Sequence, residues 1–278
     1  MSGARVGVVV VAAGSGHRLG ASAPKALVEL HGRSLLSHAL AGLAAAGLPP
    51  AVVVHTPGQR AAFAAATGGL PLAALVPGGA TRTDSVTAGV DALDGSVDVV
   101  VVHDAARPLT PPEVIDAAVA AVPVGSDVLA AAPGVPVADT LKRTTRSAGD
   151  PPELEVVETV DRTGLVGIQT PQVFPRAVLE TALGSVAGSR EVTDELALVE
   201  ALRLAGSLVG RIVVVSGSVW SRKVTYPADL HLLELLAAHA DPGALDPTAT
   251  EVVAAQRGTA PAGADAPAPG GCGLGGGA

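Results

Sequence analysis

Short runs of almost uninterrupted aliphatic residues, at 6–11, 51–55, 72–76, 97–103 and 127–132, alternate with Ala/Leu-rich stretches of helical length at 34–46, 59–66, 83–93 and 112–122. Strands that are apolar on both faces must be covered on both faces. Helices between the strands supply that cover and join them by right-handed crossovers. The pattern predicts a doubly wound α/β domain with a Rossmann-like, mostly parallel sheet. Aromatic residues make up 1% of the 278-residue chain and hydrophobic residues 48%, so the core must be built from Val, Leu and Ala. Ligands of such sheets sit beyond the carboxyl ends of the strands.

The first strand runs into Ala12-Ala13-Gly14-Ser15-Gly16-His17-Arg18-Leu19, with Pro24-Lys25 a few residues on. Side chains this small let backbone N–H groups approach phosphate oxygens closely. Arg18 and Lys25 add mobile positive charge over the same spot. A nucleoside triphosphate fits that chemistry. A dinucleotide loop needs G-x-G-x-x-G, but Leu19 occupies the third glycine position and Gly20 comes one residue late. A Walker A loop needs Gly-Lys-Ser/Thr, whereas Lys25 lies between Pro24 and Ala26. The plainer alternative is a Gly-rich turn between strand and helix.

The formal net charge of −8 and the scarcity of stacking residues (Phe63, Phe174, Trp220 and Tyr226) argue against a nucleic-acid binder. The single cysteine, Cys272, excludes a disulfide framework and a cysteine metal site. No apolar run is long enough, without glycine or charge, to cross a membrane, and residues 6–11 read as a strand rather than a signal peptide. A cytoplasmic protein is expected.

Residues 135–169 break the alternation. Strand-like stretches at 137–142 and 153–160 flank the polar run Ser147-Ala148-Gly149-Asp150-Pro151-Pro152, which predicts a hairpin arm protruding from the domain. Two isolated strands are marginal in water, so the arm is expected to pack on a second copy of the chain. Helices are expected at 175–183, 193–205 and 227–239, with a strand at 208–215. Residues 1–240 thus form the domain, and 241–278, rich in Pro, Gly and Ala, a disordered tail.

Asp104 follows the strand at 97–103. A single hard carboxylate there suits Mg²⁺, which keeps several waters and bridges to substrate phosphates; a helix-capping Asp is the alternative. His103 reads as a buried residue orienting its neighbour rather than as a base. Gly78-Gly79 would let the backbone approach a flat ring, and the Ser85 hydroxyl could bond a base edge; a flexible turn before a helix is the alternative.

Taken in order, residues 12–25, 78–86, 102–108, 139–143, 159–162, 170–172 and 193–195 and Lys223-Val224-Thr225 closely resemble the 2-C-methyl-D-erythritol 4-phosphate cytidylyltransferase family. The resemblance runs to about Leu236. It implies a homodimer that uses Mg²⁺ to join CTP to methylerythritol phosphate, a small polyol phosphate, in non-mevalonate isoprenoid synthesis. It further implies CTP binding by Ala12, Ala13, Gly14, Gly16, Gly78, Gly79, Ser85 and Ala105, and catalytic roles for Arg18, Lys25 and Lys223. Asp104 would hold the metal, and Arg107, Thr140, Arg162 and Thr193 the acceptor. Arg162 lies in the arm and so could serve the partner's site. Arg82 and Lys142 count as supporting charges. Ala80 departs from a polar side chain found in some relatives. Ribitol-5-phosphate cytidylyltransferase and other sugar-phosphate nucleotidyltransferases share most of this pattern. A catalytically silent nucleotide-binding regulator could dispense with Lys25, Asp104 and Lys223, yet all are present.

Overall fold

The computed structural model describes residues 3–14, 16–19, 23–147, 149, 152–185 and 194–238. The chain begins with β1 (Val6–Val11), a small hairpin of β2 (Glu29–Leu30) and β3 (Arg33–Ser34), and α1 (Leu35–Ala45). It continues through β4 (Ala51–His55), α2 (Arg60–Ala66), β5 (Leu72–Pro77), α3 (Arg82–Asp91), β6 (Val99–Asp104) and α4 (Pro112–Ala120). The second half comprises β7 (Val128–Pro136), β8 (Leu141–Arg146), β9 (Leu154–Val160), β10 (Val166–Ile168), β11 (Gln172–Pro175), α5 (Arg176–Ser185), α6 (Glu195–Leu204), β12 (Arg211–Ser216) and α7 (Pro227–Ala238).

Most strands join one sheet in the order β10-β7-β11-β6-β1-β4-β5, with β12 added beside β7. β4, β1 and β6 are mutually parallel, as are β4 and β5, and β12 is parallel to β7. Alternate residues of the buried strands face opposite sides. Val8, Val10, Val53 and Val101 pack with Leu36, Phe63 and Ile115 of α1, α2 and α4. Val9, Val54, Val100 and Val102 pack with Val86, Leu179 and Val199 of α3, α5 and α6. Continuous valine runs are thus core on both faces, as the doubly wound pattern requires.

The expected strands and helices of the first half form within a few residues of their predicted ends. The second half differs in one respect that matters. β11, which the sequence pattern does not reveal, inserts antiparallel between β6 and β7. Its four residues begin one position after Pro171 and run straight into α5, so no turn signal sets them apart. The arm does form: β8 and β9 pair only with each other, although β8 starts at Leu141, later than expected. All described residues belong to one compact unit, Met1–Asp246. The expected tail, 241–278, lies outside the described residues.

Strand order reverses between β1 and β6, the place where an open α/β sheet leaves a crevice at its carboxyl edge. The register there pairs Val11 with Asp104. The small-residue loop and Asp104 therefore leave the sheet side by side.

Gly89 of α3 shows how tightly the helices pack on the sheet. A Cβ at this position would come within 2.4 Å of Val9 Cγ1 and 2.9 Å of Val54 Cγ2. Overpacking of this kind costs about 1–3 kcal/mol, against roughly 1 kcal/mol gained from alanine's helix propensity. Gly89→Ala is expected to lower the urea midpoint without changing the slope of the transition; a raised midpoint would contradict this packing.

Candidate active site

The loop after β1 is pinned at both ends. Ala12 N–H donates to Val54 O (2.9 Å) and Lys25 N–H to Gly14 O (3.4 Å). Gly16 has φ +73, and a Cβ there would lie 3.1 Å from the Lys25 backbone nitrogen. Only glycine meets both the left-handed conformation and the close approach. Lys25 is thereby drawn back over the loop.

A second segment arrives from the far end of the chain. Val224 N–H donates to Ala106 O (2.8 Å), which ties the strip carrying Lys223 to the loop after β6. Arg107 Nη1 donates to Ser221 O (2.7 Å) and reinforces the tie. Asp229 caps the next turn, accepting from Thr225 N (2.9 Å), Tyr226 N (2.9 Å) and Arg222 Nε (2.7 Å). Lys223 then reaches Asp104 Oδ2 at 2.7 Å.

A third contribution comes from α3. Thr81 and Asp84 form a reciprocal capping box, so Arg82 is the first residue of the helix. Its Nη1 donates to Asp104 Oδ1 (2.8 Å), while Nε and Nη2 donate to Glu195 Oε1 (3.0 Å) and Oε2 (2.9 Å). Glu195 opens α6 and is fully buried.

These elements enclose a cavity of about 370 Å³, whose lining includes Ala12, Gly14, Gly16, Arg18, Lys25, Arg82, Asp104, Ala105 and Lys223. Its charge is set by proximity. Burial lowers the Lys25 pKa, and Lys223 and Arg18 lower it further, with Asp104 opposing. Burial would raise the Asp104 carboxyl, but Arg82, Lys223 and Arg107 more than reverse this and hold it well below the usual carboxylate range. Burial also raises Glu195, a rise that Asp104 reinforces and Arg82 only partly offsets. Burial lowers His103 to about 4. It is a neutral imidazole bonded to Arg107 O (3.2 Å) and the Thr170 hydroxyl (3.1 Å). That hydroxyl accepts from the Asp104 backbone N–H (3.1 Å), so His103 orients its neighbour as the sequence suggests.

The other expected site residues are distributed as follows. Ala13, Gly78, Gly79 and Ser85 lie beside one another but do not line the cavity. A Cβ on Gly78 would collide with Ala13 Cβ and Ser85 Oγ, each 2.8 Å away. The Ser85 hydroxyl accepts from Gly79 N (3.2 Å) and donates to Thr81 O (3.0 Å), which ties the Gly78-Gly79 loop to the start of α3. Arg107 is mostly buried and donates to the carbonyls of Ser221 and Ile168, not into the cavity. Thr140 and Arg162 are exposed near the base of the arm, where Arg162 donates to Ala138 O, and neither lines the cavity. Lys142 pairs with Thr159 within the arm. Thr193 lies outside the described residues.

The family resemblance implies magnesium. That ion is bound through one or two carboxylates together with phosphates and waters. Among the described residues no group of three or more His, Cys, Asp or Glu could hold a metal. Both Asp104 oxygens already face cations. Asp104 is here the counter-ion of Arg82 and Lys223, and it is the cavity carboxylate that would hold a magnesium ion together with substrate phosphates.

Nothing in the local sequence marks Glu195 as a neighbour of the cavity. An acidic residue opening a helix is ordinary, and nothing local shows that this one is buried against an arginine 113 residues away.

Fold and site together define an α/β protein with an electropositive cleft at its topological switch point. Comparison with known proteins narrows this. The family model described as "IspD: 2-C-methyl-D-erythritol 4-phosphate cytidylyltransferase" matches residues 6–238. A bifunctional enzyme IspD/IspF of Clavibacter michiganensis is 46% identical over 252 residues, covering 87% of this chain but 56% of that protein. The 2-C-methyl-D-erythritol 4-phosphate cytidylyltransferase of Streptomyces coelicolor is 42% identical, covering 85% of this chain and 86% of that one. The crystal structure of the enzyme of that name from Thermus thermophilus superposes with a TM-score of 0.64 at 30% identity, covering 84% of this chain and 99% of that one. The chain belongs to the 2-C-methyl-D-erythritol 4-phosphate cytidylyltransferase family.

The chain has three lysines, Lys25, Lys142 and Lys223, so lysine side-chain NMR can resolve each. Lys25 is expected to titrate below the ordinary value of 10.5. Lys223→Met is expected to raise it more than Arg18→Gln does. A Lys25 that titrates normally, and is indifferent to both changes, would contradict the convergence of these cations.

Proposed function

We propose that the chain transfers CMP from CTP to 2-C-methyl-D-erythritol 4-phosphate, releasing pyrophosphate. A phosphate oxygen of the acceptor attacks the α-phosphorus of CTP. The bond from that phosphorus to the oxygen bridging to the β-phosphate breaks, and its electron pair leaves with pyrophosphate. No covalent enzyme intermediate is required. Catalysis consists of positioning and charge stabilisation. The observation that carries this reading is that Arg18, Lys25 and Lys223, from opposite ends of the domain, line one cavity with the small-residue loop.

In this mechanism the backbone of Ala12, Gly14 and Gly16 receives the triphosphate. Lys25 and Arg18 offset the charge that grows on the leaving pyrophosphate. Lys223 exchanges Asp104 for the α-phosphate, keeping Asp104 within reach as its counter-ion. Two like charges beside Lys25 are unfavourable, and a polyanion relieves that repulsion.

The reading includes a cytoplasmic homodimer. Its support is the arm. β8 and β9 form a sheet of their own that exposes Leu154 (67%), Val156 (58%) and Val157 (59%). A two-stranded ribbon with so much open apolar surface calls for a covering surface. Arg162 and Thr140, which do not line this chain's cavity, would then reach the acceptor in the partner's. No helix among the described residues is long and apolar enough to cross a membrane.

Pyrophosphate release from CTP with Mg²⁺ tests the reaction, with methylerythritol phosphate, ribitol 5-phosphate and a sugar 1-phosphate compared as acceptors. Turnover is expected with the first; turnover with ribitol phosphate alone would overturn the assignment. Lys25→Ala is expected to lower kcat about 10²- to 10³-fold, the usual scale for losing one transition-state charge contact. For the arm, mixing inactive Arg162→Ala with inactive Lys25→Ala should restore part of the activity through one intact hybrid site. No rescue despite confirmed subunit exchange would contradict a shared site.

A further inference from the structure

We propose that Glu195 is a positioning residue for the transfer: it fixes Arg82, Arg82 fixes Asp104, and Asp104 sets where Lys223 stands. The inference rests on the cytidylyl-transfer reading and assigns that site a residue that never touches substrate.

Glu195 does not line the cavity and has no exposed surface. Both its oxygens are used on one edge of the Arg82 guanidinium, at 3.0 Å and 2.9 Å. The Nη1 atom of Arg82 goes to Asp104 at 2.8 Å, and the other Asp104 oxygen goes to Lys223 at 2.7 Å. The four side chains form a line of alternating charge from the buried start of α6 to the cavity.

The backbones of Glu195, Arg82 and Asp104 are held by other contacts, so only the side chains depend on the line. Gln172 grips both neighbours of Glu195, donating to Asp194 Oδ2 (3.0 Å) and accepting from Leu196 N–H (3.1 Å). Asp194 also caps α6 by accepting from Ala197 N–H (2.9 Å). The capping box at Thr81 fixes the origin of Arg82. The Thr170 hydroxyl fixes the backbone of Asp104.

The two-pronged geometry of arginine makes the pairing directional. With Glu195 holding Nε and Nη2, Arg82 presents a single nitrogen to Asp104 and leaves the second oxygen for Lys223. Freed from Glu195, Arg82 could turn its paired nitrogens onto Asp104 and displace Lys223. A staple between α3 and α6 would account for the Glu195–Arg82 pair alone; it would not make the state of Lys223 depend on Glu195.

The test is a double-mutant cycle with a second readout that needs no turnover. Glu195→Gln keeps the shape and removes the charge. It is expected to lower kcat about 10- to 100-fold, the scale on which residues behind the contacting ones act, with a much smaller change in KM for CTP. In a Lys223→Gln background the same substitution should cost less than about threefold, because coupled residues are non-additive. In the ligand-free protein, Glu195→Gln should shift the Lys223 side-chain NMR signal and leave Lys142 in place. An equal loss in both backgrounds, or an unmoved Lys223 signal in a folded variant, would overturn the proposal. Should Glu195→Gln fail to fold, Arg82→Met/Glu195→Met removes both buried charges together. It should still shift Lys223 and lower kcat, and wild-type values for both would overturn the proposal. Because the NMR signal is read without substrate, failure of the relay is distinguishable from a wrong acceptor.

Discussion

A nearly buried carboxylate, Asp104, decides where the cations of this cleft can stand. An unpaired charge in such a place would be costly. Arg82 and Lys223, one on each oxygen, remove that cost and are themselves oriented by it. Buried ion pairs add little net stability compared with apolar packing, but breaking one by removing a single partner costs about 3–5 kcal/mol. The arrangement is therefore better understood as a device for placing charge than as a contribution to folding.

Sheet topology makes the placement possible. Reversal of strand order between β1 and β6 opens the crevice, and the Val11–Asp104 register aligns the loop with the carboxylate. The helices starting at Arg82 and Glu195 pack on the same face, through Val86 and Leu196. Their first residues meet over the edge of the sheet. The strip bearing Lys223 closes the remaining side. An acidic protein thus keeps a local surplus of positive charge, with Lys25 and Arg18 beyond the reach of Asp104's two oxygens.

Much of this was legible in the sequence because it is local. Valine runs between helical stretches state a parallel, doubly covered sheet, and the small-residue loop followed by Arg18 and Lys25 states phosphate chemistry. The hairpin arm could be read from strand-like segments on either side of a polar run. What remained hidden depends on distant partners. β11 is too short to show a period, and its place between β6 and β7 is a tertiary matter. Ser85 and Arg107 have the right chemistry for ligand contacts, yet the Ser85 hydroxyl donates to Thr81 O and the Arg107 Nη atoms donate to the carbonyls of Ser221 and Ile168. Glu195 looks like any helix-opening acid until its burial against Arg82 is known. Local sequence can suggest the type of group a site needs; which groups are already engaged elsewhere is decided by packing.

The central claim is that this cleft is built for a polyphosphate. Calorimetric titration of the chain with CTP and with CMP, repeated for Lys25→Met, tests it most directly. The account predicts that CTP binds more than about tenfold tighter than CMP, a difference of roughly 1.4 kcal/mol or more, and that most of this preference disappears in the variant. Equal affinity for the two nucleotides, or a preference that survives the loss of Lys25, would contradict it.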